Sequence, residues 1–219
     1  MIRVIFLKKS NEILAFGPDA IVLAPIFKEE GLTFINTCCE QGIPVALINT
    51  QIDAPQALCY IGQDSYQSGI VAARLLNFGV TNGSTALLIN IDSMSASAQH
   101  LIDKERGFRD YFDGIDGKKV NILTAHFDHG RGKSTFSDFL VDIWKSHPSL
   151  NSVFVTNSRA YLLIECLPKK LLDGLSIVGF DLIEPNLQYL QANRINFSSI
   201  NIPLCRDTWA FSISSITLC

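Results

Sequence analysis

Side chains able to do chemistry fall at a recurring place in this 219-residue sequence, just after short apolar runs. Asn49-Thr50 follows residues 45–48, Gln63-Asp64 follows 60–61, and Asn90 and Asp92 stand within and after 87–91. Asp128-His129 follows Phe127, Asn157-Ser158 follows 153–156, and Asp181 follows 178–180. Any one of them reads equally well as a turn or helix cap. Five or six converging on one place form a different object. Amides, carboxylates and hydroxyls with few cations suit a neutral, polyhydroxylated ligand.

Other constellations lack a necessary part. Gly132-Lys133-Ser134 lies between a strand and a helix, where a phosphate-binding loop belongs, but Phe127 occupies the position five residues earlier that needs glycine. Without that glycine the loop cannot wrap a phosphate in backbone N–H groups. His126, Asp128 and His129 invite a metal, yet the histidines lack the i, i+4 helical spacing and no third ligand is near in sequence. Cys38-Cys39 falls mid-helix with no signal for an activating histidine, and there is no G-x-S-x-G elbow. Glu29-Glu30 suits a helix's first turn. The expectation is a binding protein, not an enzyme, with no metal or cofactor.

The elements that must position these side chains alternate along the chain. Apolar runs at 2–7, 20–24, 44–48, 58–61, 85–91, 120–127, 152–156 and 175–180 predict strands. Between them, helical spacing covers 11–16, 27–41, 65–78, 99–112, 135–146, 159–167 and 183–192. Continuous apolar runs, rather than alternating ones, indicate strands buried on both faces of parallel sheets. The fold class expected is α/β, with two Rossmann-like parallel-sheet lobes and ligands outside the carboxyl ends of the strands. The break at 79–83 divides them into a partial N-terminal lobe (1–82), a C-terminal lobe (83–197) and a divergent tail (198–219).

Bulk properties narrow the setting. Apolar residues make up 47% and charged residues 18%, a globular composition, and the net charge of −3 offers no basic field for nucleic acid or anionic lipid. No apolar stretch reaches the ~20 residues of a membrane helix. The run at 2–7 is too short for a signal-peptide core. Six scattered cysteines form no C-x-x-C pair and are expected to be reduced thiols packed as small apolar residues. The expected location is cytoplasmic.

Ordered segments carry a family likeness. They are Gly17-Pro18-Asp19-Ala20-Ile21-Val22; Gln41-Gly42-Ile43-Pro44-Val45 leading to Ile48-Asn49-Thr50; and Ile61-Gly62-Gln63-Asp64-Ser65 through Ser68-Gly69 to Ala72-Ala73. Glu105-Arg106-Gly107-Phe108-Arg109, Val155-Thr156-Asn157 and Ile177-Val178-Gly179-Phe180-Asp181 complete them. With these, residues 17–200 resemble the effector-binding domain of LacI/GalR-type transcription regulators, relatives of the periplasmic sugar-binding proteins. The Gly62-Gln63-Asp64-Ser65 form looks particularly like regulators of gut Bacteroides-type bacteria.

The resemblance implies a site of known composition. It puts Asp64 on the acidic N-lobe position that bonds the sugar, and Asn157 and Asp181 on the C-lobe amide and carboxylate. Lys104 stands where the family has arginine, which loses the two-pronged fork an arginine offers to vicinal hydroxyls. His129 is the nearest candidate for the aromatic stacking position, and Asn201 stands in the place of a glutamine. The function implied is ligand sensing by a sugar-responsive regulator, with a saccharide effector and a homodimer in the full-length protein. Operator DNA would be met only through a helix-turn-helix outside these residues, and the first strand and helix of the N-lobe are expected to be missing. The alternative on the same fold is the sugar-binding carrier of an ABC transporter.

Overall fold

A computed structural model describes residues 2–92 and 99–199, with side chains described from residue 5 onward. Asn201, Cys205 and Cys219 lie outside the described residues. In chain order the elements are α1 (Ile2–Ala15), β1 (Ile21–Leu23), α2 (Lys28–Glu40), β2 (Val45–Ile48), β3 (Cys59–Ile61) and α3 (Ser65–Leu76). Then follow β4 (Thr85–Ile91), α4 (Gln99–Asp113), β5 (Asn121–Phe127), a 3-10 turn (His129–Arg131) and α5 (Lys133–Ser146). The remainder is β6 (Leu150–Val155), α6 (Ala160–Cys166), α7 (Lys169–Leu172), β7 (Ser176–Phe180), α8 (Glu184–Gln191) and β8 (Phe197–Ser199). Among the described residues no helix is long and apolar enough to cross a membrane.

The chain forms two compact units, the first in the main the residues up to Gln63 and the second in the main those from Asp64. The first holds a parallel sheet in the order β1-β2-β3. Its core is Ile21, Leu23, Phe34, Ile35, Cys38, Val45, Leu47 and Ile52. Gly42, at φ +72°, takes the left-handed turn that ends α2 and delivers the chain to β2.

The second unit is the parallel sheet β5-β4-β6-β7-β8. Helices cover both faces, because every residue of β4 is buried and each face therefore needs an apolar layer. One layer joins Ala72, Ala73 and Leu76 of α3 to Phe108 and Phe112 of α4 over Leu88, Phe154 and Val178. Phe108 stacks on Phe154 with ring centres 5.7 Å apart. The other layer sets Phe136, Leu140 and Trp144 of α5 and Leu163 of α6 against Leu87, Ile89 and Val153. The two parallel-sheet units of the expected α/β class are both present.

Four features differ from expectation. Residues 2–7 belong to a helix, not a strand. Their carbonyls accept from amides one turn further along the same helix, and Phe6 meets Phe27 and Phe34 of the first unit edge-on. The helix expected over 11–16 begins earlier, so Ser10 lies inside it and bonds back to the Phe6 carbonyl at 2.9 Å. Helix α3 packs on β6 and β7, so the two units divide at Gln63/Asp64 and not within 79–83. Finally, β8 and α7 were not anticipated, and both are shorter than a periodicity can reveal. Among the thiols, Cys38 and Cys166 are buried as expected, whereas Cys39 and Cys59 are exposed.

Candidate functional site

The strands of the second unit all run the same way, so their carboxyl ends lie along one rim of the sheet. Asp128 follows β5, Asp92 follows β4, Thr156 and Asn157 follow β6, and Asp181 follows β7. At the centre of this rim is Lys104 of α4, one of the few charged side chains buried in the molecule. Its ammonium donates to the Thr156 carbonyl at 3.0 Å and stands 3.6 Å from the centre of the Phe180 ring. Burial pulls its pKa from 10.5 to about 8, and the nearby Asp181 carboxylate acts in the opposite sense. A cation held over an aromatic face and beside a carboxylate needs no second anion to balance it.

Asp181 itself has a left-handed backbone, at φ +61°. Non-glycine residues seldom accept this conformation, though Asp and Asn tolerate it best. Surrounding bonds over-determine it. The Asp181 amide donates to the Ser199 carbonyl at 2.7 Å, and its own carbonyl accepts from Ser198 Oγ at 3.1 Å and Asn186 Nδ2 at 3.1 Å. Asn186 is fully buried and also donates to the carbonyls of Ser158 and Phe180, both at 3.0 Å, while accepting from the Tyr161 amide at 3.0 Å. It ties the end of β6 to the end of β7. The N-cap of α8 is Ile183, not Asp181, so the carboxylate is not that helix's cap.

Asn157 is anchored to β4. Its Nδ2 donates to the Asn90 Oδ1 and to the Ile91 carbonyl, each at 2.9 Å, and its Oδ1 accepts from the Arg159 amide at 3.3 Å. Both amide hydrogens are thus committed, and a lone pair on Oδ1 is what the side chain can still offer. Arg159 continues the rim, donating to the Ile91 carbonyl at 3.0 Å and pairing with Asp92 at 3.5 Å.

Of the residues expected at the site, Lys104, Asn157 and Asp181 come together on this rim. Asp64 caps α3, its carboxylate accepting from the Gln67 amide at 2.9 Å. His129 sits in the 3-10 turn after β5, with a buried Nδ1 lacking a hydrogen-bond partner among the described residues. Asn201 lies outside the described residues. Lys133, of the glycine-containing loop, pairs with Glu165 at 2.5 Å. Asn90 stood among the strand-end polar residues of the sequence, as the one amide within β4, whereas Thr156, Phe180, Asn186 and Arg159 were not expected at the site.

Residues 6–204 match the model of a protein family, the periplasmic binding protein domain. The chain belongs to that family. Among curated periplasmic binding proteins, the ribose import binding protein of Bacillus subtilis is 24% identical over 176 residues, 78% of this chain. The match covers 53% of that protein, so this chain spans about half the length of its curated relative. Among solved structures, a proposed LacI transcriptional regulator from Bacteroides fragilis superposes with a TM-score of 0.75 at 28% identity, covering 89% of this chain and 67% of that one. GanP, a glucose-galactose binding protein from Geobacillus stearothermophilus, gives a TM-score of 0.69 at 21% identity over 90% of this chain and 69% of its own. These periplasmic-binding-protein relatives are binding proteins and regulators rather than enzymes.

Proposed function

We propose that this chain is the saccharide-sensing part of a cytoplasmic bacterial transcription regulator that works as a homodimer and meets operator DNA through a separate headpiece. The observation that carries the ligand class is the rim itself. It offers the Asp181 carboxylate and the Asn157 Oδ1 as acceptors, and its two cations are already balanced, Lys104 by Asp181 and Arg159 by Asp92. Such a site favours ligands rich in O–H donors and gives phosphate no uncompensated charge. The sugars named for the ribose import protein and for GanP point the same way. Sugar binding would bias one of two conformations and so change DNA affinity in the whole protein.

The regulator reading draws on the 28% identity to the Bacteroides fragilis protein and on the ordered motifs from Gly17 to Asp181. Import of a sugar as an ABC carrier is the second reading, favoured by the ribose import and glucose-galactose relatives. A thermal-shift panel of D-ribose, D-glucose, D-galactose, phosphosugars and nucleotides tests the ligand class. Stabilisation by a neutral sugar is expected, and stabilisation by nucleotides alone would overturn it. The DNA upstream of the first codon separates the two readings: an in-frame helix-turn-helix supports the sensor, a secretion signal the carrier.

A further inference from the structure

The hydrogen-bond chain of the rim runs from Asn157 through Asn90 to His126 on the edge strand β5. The carbonyl of Ile91 can only accept, so the Asn157 atom 2.9 Å from it is the amide nitrogen. The same nitrogen lies 2.9 Å from an Asn90 side-chain atom, which must therefore be oxygen. Thr156 Oγ1, 3.2 Å away, donates to that oxygen too. This leaves the NH2 of Asn90 turned toward His126, its register partner on β5, with Nδ1 of the ring 3.2 Å away. Nδ1 must accept. The proton of the neutral ring is then on Nε2.

We infer that His126 is a positioning residue for the proposed sugar site, holding Asn90 so that Asn157 presents oxygen to the ligand. The inference rests on the saccharide reading for what Asn157 meets, but its proton arrangement stands without it. A ring with hydrogen on Nδ1, whether the other tautomer or the imidazolium, sets N–H against NH2. Asn90 then turns over, its NH2 faces the NH2 of Asn157, and Asn157 loses the partner that fixes it. His126 is also among the residues along a groove of about 430 Å³ at the edge of β5, with Asp142, Ile143 and His147.

Nitrogen NMR of the histidine side chains in the whole, sugar-free chain reads the tautomer directly. An acceptor-type Nδ1 with hydrogen on Nε2 is expected for His126; a protonated Nδ1 at neutral pH would overturn the inference. This result is independent of any sugar, so it stands even if the ribose, glucose and galactose panel finds no ligand and the saccharide reading falls. With the sugar from that panel that binds, His126→Leu should weaken binding about tenfold. His126→Gln, whose side-chain oxygen can accept from Asn90, should recover most of the affinity. Wild-type affinity in His126→Leu would refute the role.

Discussion

Lys104 and Phe180 meet with the ammonium 3.6 Å from the ring centre, and the chain turns left-handed at the residue after that ring. The cation–π contact, the Thr156 carbonyl and the carboxylate of Asp181 together keep a lysine charged where burial opposes charge.

Replacing this lysine tests the balance. Unfolded lysine holds its proton to about pH 10.4, whereas Lys104 holds it only to about 8. Between those values the unfolded chain binds more protons, so the native protein gains stability as pH rises through that window, by on the order of 3 kcal/mol. Lys104→Met has no such term. At pH 7 it should unfold at higher urea than the wild type, and the advantage should shrink or reverse by about pH 10. It should also lose sugar binding. Equal differences at both pH values would show that the buried charge carries no cost.

Asp181 separates backbone from carboxylate. Asn accepts the left-handed conformation, so Asp181→Asn should unfold within about 0.5 kcal/mol of the wild type, while Asp181→Ala should lose about 1 kcal/mol. Both should bind sugar at least tenfold more weakly by calorimetry, since a charged acceptor is worth more than a neutral one. Intact binding in either variant would remove Asp181 from the site.

Asp64 has a structural duty that is visible without a ligand. Asp64→Ala removes the cap of α3 and should cost about 1 kcal/mol in denaturant unfolding. Asp64→Asn keeps a good capping oxygen and should be near neutral. Affinity lost in the asparagine variant would therefore report a sugar contact of the carboxylate, and unchanged affinity would leave Asp64 as a cap alone.

Helices α3 and α4 cross with backbone against backbone. A Cβ at Gly69 would lie 2.0 Å from the Lys104 carbonyl oxygen, and one at Gly107 equally close to the Tyr66 carbonyl. Neither backbone can yield without moving α4 away from α3. Gly69→Ala should cost about 2 kcal/mol or more, and it should weaken sugar binding as well, because the displaced turn carries Lys104. Destabilisation with full affinity would show that Lys104 can follow the shift.

The strands of the second unit were readable because each is a continuous apolar run, and that pattern has few meanings once helical spacing fills the gaps. The run at 2–7 shows the limit: Val4-Ile5-Phe6-Leu7 satisfies a strand and a helix alike, and packing of Phe6 decides. Lys104 was reachable only through family likeness, since nothing local distinguishes it from the other charged residues of α4. Its burial comes from α4 lying over Phe180, a contact made 76 residues away in sequence. His126 was weighed only as a metal ligand beside Asp128 and His129. Its partner is on the neighbouring strand, and strand order is absent from a linear reading.

Strand β4 is paired on both edges and buried at every residue, and Asn90 is part of it. Its amide hydrogens should therefore exchange with solvent only when the whole second unit opens, among the slowest in the molecule. The groups that orient Asn157 stand on the part of the protein that moves least. A ligand of the proposed site would find acceptors whose directions were settled during folding, so little ordering would remain to be done on binding. Discrimination between sugars differing by one hydroxyl would then follow from fixed geometry, at the expense of the breadth that an adaptable loop would give.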